Sequence, residues 1–170
     1  SFVAQLPNLT SLNLRTKDLT SLEPLRGATG LTSLAITGYD TNVTDFTPLS
    51  DLTKLTYLSI TANGSDNVLA SQDLSFLSDM DQLKELWFSA TEIDSLSGVE
   101  GAVNLSNLYL QGVMPTADLS ALAPLVNLQD LSIYGEGNVS PYAEDTDFLS
   151  GMTKLRSLTL FVDGIRDLSG

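Results

Sequence analysis

The stretch LTYLSI (Leu55 to Ile60) is one of seven copies of the pattern LxxLxL, whose three fixed positions hold only aliphatic or aromatic residues. The copies begin at Leu9, Leu31, Leu55, Leu83, Leu105, Leu128 and Leu155. Their spacings of 22, 24, 28, 22, 23 and 27 residues are typical of repeat proteins. Because each repeat of this size shares its hydrophobic core with its neighbours, the pattern predicts a solenoid.

Each repeat has two halves with different periodicity. LxxLxL alternates, which predicts a short strand whose fixed residues point inward. Apolar residues also recur nine, six and three positions before each first leucine, as in Phe46, Leu49 and Leu52 before Leu55. That spacing suits a 3₁₀-like return leg. We therefore predict an α/β solenoid, a right-handed superhelix with a seven-strand parallel sheet on its concave side and 3₁₀ or irregular legs on its convex side.

A row of acidic and hydroxyl residues precedes the return legs. It consists of Ser21, Asp45, Asp73, Ser95, Asp118, Asp145 and Asp167. Regularly spaced carboxylates can suggest a metal site or acid–base catalysis. Asp and Ser side chains are also the preferred caps of backbone N–H groups that begin a helical turn. Since Ser replaces Asp without loss of that role, the pattern favours structural caps.

The repeats resemble a known bacterial family. VTDFTPLSDLTKLTYLSI (Val43 to Ile60) and LSALAPLVNLQDLSI (Leu119 to Ile133) are similar to internalin-type leucine-rich repeats, which carry Asp before an apolar residue, then Pro-Leu, then LxxLxxLxL. The resemblance spans essentially the whole chain, although the family's usual Asn after the strand is present only as Asn63. It implies a non-enzymatic protein-binding or adhesion module of a secreted or cell-surface bacterial protein. A rigid spacer without its own ligand is the alternative.

The repeat lengths also suggest an internal duplication. We interpret residues 1–170 as one domain, a fragment of a longer array, with three-repeat units at 9–82 and 83–154 and a partial third unit at 155–170. The extra length falls in Thr61 to Ala70 and Tyr134 to Asp145, where glycine and proline predict loops. These loops should lie on one edge of the sheet, roughly 14 Å apart. They are either binding loops or tolerated insertions.

Composition excludes several classes of function. Eight Lys and Arg residues against 21 Asp and Glu residues give a net charge of −13, which repels nucleic acids and anionic lipids. The chain has no His, no Cys and no GxSxG motif, so we predict neither an enzyme nor a bound cofactor. No apolar run reaches the length of a membrane span, so we expect no membrane insertion of this segment. We expect a monomer.

Calcium binding in the long segments is an open alternative. The oxygen-rich residues there are Asn63, Asp66 and Asn67 in the first segment, and Glu136, Glu144 and Asp145 in the second. Neither group follows the EF-hand pattern, so the sequence predicts no metal site.

The outward positions of the strands carry the functional prediction. Small hydroxyl residues fill those of the first two strands, whereas each of the next five strands contributes one aromatic residue, and together these form a diagonal stripe. Exposed aromatic residues anchor protein and sugar contacts, although they also simply suit strands. We predict a protein ligand, with a glycan as the alternative, on the concave face. The predicted binding residues, including an acidic rim, are Tyr57, Glu85, Trp87, Tyr109, Asp130, Tyr134 and Phe161.

Overall fold

A computed structural model describes residues 3–39, 42–63, 68–71, 73–135 and 140–166. Within these ranges the chain forms nine strands, β1 (Ser11–Lys17), β2 (Ser33–Tyr39), β3 (Asn42–Val43), β4 (Tyr57–Asn63), β5 (Val68–Ser71), β6 (Glu85–Ile93), β7 (Asn107–Val113), β8 (Asp130–Tyr134) and β9 (Ser157–Leu160). Seven of them pair side by side in the order β1-β2-β4-β6-β7-β8-β9, and each pair is parallel. The prediction of a seven-strand parallel sheet in a solenoid is confirmed.

Equivalent residues of successive repeats lie directly opposite one another. Leu34 pairs with Leu58, Leu58 with Leu86, and Leu86 with Leu108. These inward leucines are almost completely buried, whereas the equivalent Leu158 in the last strand is 45% exposed. The core is thus a strip between the sheet and the return legs. Burial of each such side chain stabilises the fold by about 1.5 to 3 kcal/mol.

The return legs are single 3₁₀ turns, as the spacing of three predicts. They are η1 (Val3–Gln5), η2 (Glu23–Leu25), η3 (Thr47–Leu49), η4 (Ser75–Leu77), η5 (Val99–Gly101), η6 (Leu119–Leu122) and η7 (Asp147–Leu149). Leu49 and Leu77 are typical of their inward faces and are fully buried. One side of each turn therefore closes the core opposite the sheet.

The capping prediction is confirmed at all six positions that the structure describes. In each repeat the side-chain oxygen accepts the backbone N–H two residues further on, at 2.9 to 3.1 Å. The capping residues are Ser21, Asp45, Asp73, Ser95, Asp118 and Asp145. The seventh predicted cap, Asp167, lies outside the described residues.

Side-chain hydrogen bonds also connect adjacent repeats at positions that the sequence analysis did not single out. The hydroxyls of Thr32, Thr56 and Ser106 each donate to a backbone carbonyl of the preceding repeat at 3.0 to 3.1 Å. The amides of Asn104 and Asn127 do the same at 2.7 and 3.0 Å. Internalin-type repeats usually carry an Asn just after each strand. Here, side chains just before the strands, including Asn104 and Asn127, form hydrogen bonds between successive repeats.

The segments of extra length are more regular than predicted. Thr61 to Ala70, predicted as a loop, contains the end of β4 and most of β5, and β5 pairs with both β3 and β6. In the second segment, Tyr142 forms an isolated parallel bridge with Asp163. The backbone groups of Val68–Ser71 are satisfied by pairing with β3 and β6, which explains the difference. Residues 64–67 and 136–139 lie outside the described ranges.

Candidate ligand-binding surface

The outward residues of the sheet form three straight columns because the strands pair without a shift over these positions. In the first column Tyr57 lies beside Glu85, and Glu85 beside Asn107. In the second, Ser59 lies beside Trp87, and Trp87 beside Tyr109. In the third, Gln111 lies beside Tyr134. Each residue therefore has a fixed neighbour at about 4.8 Å of strand spacing.

Four of the five predicted aromatic residues form a row of contacting rings, here called the aromatic ladder: Trp87, Tyr109, Tyr134 and Phe161. The ring centroids of Trp87 and Tyr109 are 5.3 Å apart, with 23° between the planes. Tyr109 and Tyr134 are 5.3 Å apart at 40°, and Tyr134 and Phe161 are 5.0 Å apart at 23°. The ladder runs across β6, β7 and β8 to Phe161, which directly follows β9, and it changes column once, between Tyr109 and Tyr134.

The ladder is accessible at both ends and more enclosed in its middle. Trp87 is 42% exposed and Phe161 60% exposed, whereas Tyr109 and Tyr134 are half-buried. Burial raises the pKa of the Tyr109 hydroxyl, and the nearby Tyr134 hydroxyl raises it further. Tyr109 donates a hydrogen bond to Oε1 of Gln111 at 3.2 Å, and Ser89 donates to the same atom at 3.2 Å. The middle of the ladder is therefore held in place by its own polar neighbours.

The predicted acidic rim lies in the first column, next to the ladder. Nδ2 of Asn107 donates to Oδ2 of Asp130 at 3.0 Å. Glu85 is half-buried, and its carboxylate makes no hydrogen bond or ion pair with any residue that the structure describes. One rim carboxylate is therefore partnered and the other is free to meet a ligand.

Tyr57 makes no ring contact with the ladder, and its part in ligand binding stays a prediction. Among the ring contacts of the described residues, none includes Tyr57. Strand β4 places Ser59, not an aromatic residue, beside Trp87. Tyr57 occupies the first column beside Glu85, where the diagonal stripe predicts it, and the row of contacting rings ends at Trp87.

Two grooves lie away from the sheet face, along the row of caps. The larger has a volume of about 550 Å³ and includes Asp45, Asp73, Glu92 and Asp94. The other, about 520 Å³, includes Asp118, Glu144, Asp145 and Asp147 in the equivalent place further along the chain. Asp45, Asp73, Asp118 and Asp145 are already used as caps. In each groove, two of the four carboxylates are therefore already engaged in capping the return legs.

The candidate calcium ligands are only partly described. Asp66, Asn67 and Glu136 lie outside the described residues. In the described part of the chain, no group of three or more His, Cys, Asp or Glu side chains is placed to hold a metal ion. A helix long and apolar enough to cross a bilayer is likewise not found among those residues.

Gly112, which the sequence analysis did not single out, shapes the C-terminal ends of β6 and β7. The pairing of β6 with β7 shifts between Ser89 and Ile93. Gly112 has a φ of +92° there, and a Cβ at this position would overlap the backbone carbonyl of Ala90. Only glycine allows this close approach without strain. The glycine therefore permits the bulge that ends the regular columns.

Comparison with known proteins identifies the fold through structure. No protein-family model matches the chain. No curated protein sequence matches it either. Three similar solved structures are internalin C2 from Listeria monocytogenes, a leucine-rich repeat protein from Leptospira interrogans, and the ectodomain of the Arabidopsis thaliana receptor kinase GASSHO1/SCHENGEN3 in complex with CASPARIAN STRIP INTEGRITY FACTOR 2.

The similarity is high in structure and low in sequence. The TM-scores are 0.67, 0.63 and 0.66, at identities of 20%, 19% and 23%, and cover 92%, 89% and 92% of this chain. The chain spans 74%, 37% and 19% of those three proteins. Together with the parallel sheet and the 3₁₀ legs, these matches show that the chain has the leucine-rich-repeat fold, and they confirm the resemblance to internalin-type repeats at the level of that fold.

Proposed function

We propose that this chain is a non-enzymatic binding module of an exported bacterial protein, acting outside the cell or at its surface, with a role in adhesion. The ligand, a protein or a glycan, binds on the sheet face through the aromatic ladder and the acidic rim. The observation that carries the proposal is the ladder itself, four contacting rings whose two ends are 42% and 60% exposed.

The physical basis is that these rings are both exposed and already ordered. An exposed aromatic surface is unfavourable in water, and binding removes it from water. Because the rings of Trp87, Tyr109, Tyr134 and Phe161 support one another on a rigid sheet, little side-chain entropy is lost when a ligand contacts them. Tryptophan and tyrosine are also the residues that most often dominate binding energy.

The similar structures support this proposal without deciding it. Internalin C2 and the Leptospira protein come from bacteria, which supports the bacterial assignment. The Arabidopsis ectodomain is in complex with CASPARIAN STRIP INTEGRITY FACTOR 2, and the plant receptor RGFR1, also similar with a TM-score of 0.63 and 21% identity over 92% of this chain and 29% of its own, is in complex with RGF2. The fold therefore serves ligand recognition in other proteins.

The test compares binding by variants that keep the fold. The immobilised wild-type chain is used to select binders from a random peptide display library and is applied to a glycan array. Each binder is then measured against Trp87→Ala, Tyr109→Ala and Ser33→Ala, after circular dichroism has shown all three to be folded. We expect Trp87→Ala to lose about 2 kcal/mol of binding free energy or more, and Ser33→Ala a few tenths.

Equal binding by all three variants would remove the ladder from the site. An absence of binders from both collections would instead support the spacer alternative, in which the array only separates other parts of a larger protein.

A further inference from the structure

The rings of the ladder are stacked or tilted against one another and do not lie flat side by side. Two rings lying flat and side by side would have centroids about 6.5 Å apart, because non-bonded carbon atoms stay about 3.5 to 4 Å from one another. The observed separations of 5.0 to 5.3 Å are shorter, and with angles of 23° to 40° between the planes they describe offset or tilted rings that partly overlap. Tyr109 and Tyr134 each have a neighbouring ring on both sides, which leaves their faces less open than those of the two end rings.

Trp87 stands at one end of the ladder, and among the described residues its indole has a ring neighbour, Tyr109, on one side only. Beyond Trp87, strand β4 places Ser59 and strand β2 places Ala35 in the same column. Both side chains are too short to cover an indole ring at about 4.8 Å of strand spacing. The space above Ser59 and beside the indole of Trp87 is called here the Trp87 slot.

The unpartnered carboxylate of Glu85 lies next to this slot. Glu85 and Trp87 are two residues apart on β6 and point to the same side of the sheet. An aromatic face beside a free carboxylate suits arginine, because the planar guanidinium stacks on aromatic rings and pairs with carboxylates. The net charge of −13 also favours a basic partner.

We propose that the Trp87 slot receives an arginine side chain of a protein ligand, which stacks on the indole above Ser59 and pairs with Glu85. This proposal rests on the function proposed above and deepens it, because it selects a protein over a glycan. Sugars bind by laying their C–H surface on open ring faces. The inner rings of the ladder, each with a ring neighbour on both sides, offer less of such a surface.

The test uses the natural reporter in the slot, since Trp87 is the single tryptophan of the chain. The indole N–H resonance of the ¹⁵N-labelled protein is followed during titration with acetyl-Gly-Arg-Gly-amide. The matched probe contains citrulline, which keeps the planar shape of arginine and removes its charge. We expect saturable shifts with the arginine peptide and at least about tenfold weaker binding of the citrulline peptide.

Three variants locate the binding. Glu85→Gln should weaken the arginine peptide about tenfold by removing the ion pair. Ser59→Leu should abolish binding by filling the slot, while Ser33→Ala, on the same face but one strand further away in another column, should leave it unchanged. Thermal unfolding of each variant checks that the fold is retained.

Equal shifts with the arginine and citrulline peptides, or unchanged binding by Ser59→Leu, would overturn the arginine proposal. Its failure is distinguishable from failure of the proposed function, because Tyr109 does not border the slot. If Tyr109→Ala lost the selected library binders while the arginine peptide failed to bind, the ladder would remain the site and the slot would not be part of it.

Discussion

The first three strands of the main sheet, β1, β2 and β4, differ most from the last four, β6 to β9, on their outward face. Inside, rows of buried apolar residues run through both regions, as at Leu34 and Leu86, and become partly exposed in the two end strands, β1 and β9. Outside, the first region carries mostly small and hydroxyl residues, whereas the second carries the aromatic ladder. Core packing fixes the inward residues and leaves the outward ones open. The difference between the regions therefore points to the outward face of the second as the place where function is added.

The prediction with the largest expected effect concerns whether the buried cores of the two regions are equivalent. Leu34→Ala in β2 and Leu86→Ala in β6 each remove a fully buried side chain at the same point of the repeat. Each should lower the free energy of unfolding by about 2 to 5 kcal/mol, through lost burial and a residual cavity. Urea denaturation of the two variants measures both values. A large loss in one region with almost none in the other would show that the interiors are not equivalent.

The next effect tests what the ladder contributes to stability. Tyr109→Ala removes two ring contacts, whereas Phe161→Ala removes one. At about 0.5 to 1.5 kcal/mol per contact, Tyr109→Ala should destabilise the chain more than Phe161→Ala. Ser59→Ala, on the same face of the first region, should change the free energy of unfolding by no more than about 0.5 kcal/mol. Equal effects of all three in thermal unfolding would show that ring stacking adds nothing to the fold.

The smallest effect is the pH dependence of the caps, which should be alike in both regions. Hydrogen bonds from Thr47 lower the pKa of Asp45, and those from Ser120 lower the pKa of Asp118. A lowered pKa in the folded state stabilises the fold above the unfolded value of about 4. This contribution is lost as the pH falls through the lowered folded-state pKa.

Asparagine is the matched control for this titration, because it keeps the cap and removes the charge. Urea midpoints of the wild type and of Asp45→Asn/Asp118→Asn are compared between neutral and acidic pH. The loss of stability on acidification should be smaller in the double variant. An identical loss would assign the acid sensitivity to other carboxylates.

The sequence predicts those features that depend on contacts within a repeat or between identical positions of neighbouring repeats. The seven strands, the buried rows and six caps, such as Asp118 on Ser120, belong to this class. The pairing of β5 with β3 and β6 could not be predicted, because it depends on which backbone groups of two other repeats lie free beside Val68–Ser71. The duplication of residues 9–82 as 83–154 stays a prediction.

The candidate site was predictable in composition and less so in geometry. Counting outward positions was sufficient to find Trp87, Tyr109, Tyr134 and Phe161. Their stacking, the separate position of Tyr57 and the free carboxylate of Glu85 depend on side-chain conformations that the sequence does not reveal. The need for glycine at position 112 arises from a shift in strand pairing that no repeat pattern indicates.

The unshifted pairing of the strands makes the outer face a grid on which every residue has a row and a column. One column contains one residue from each of the seven strands: Asn13, Ala35, Ser59, Trp87, Tyr109, Ser132 and Thr159. A substitution in this column replaces one outward residue and leaves the buried residues of the core unchanged. New recognition surfaces can therefore be produced on this scaffold by replacing one outward residue at a time, through protein engineering as well as through natural selection.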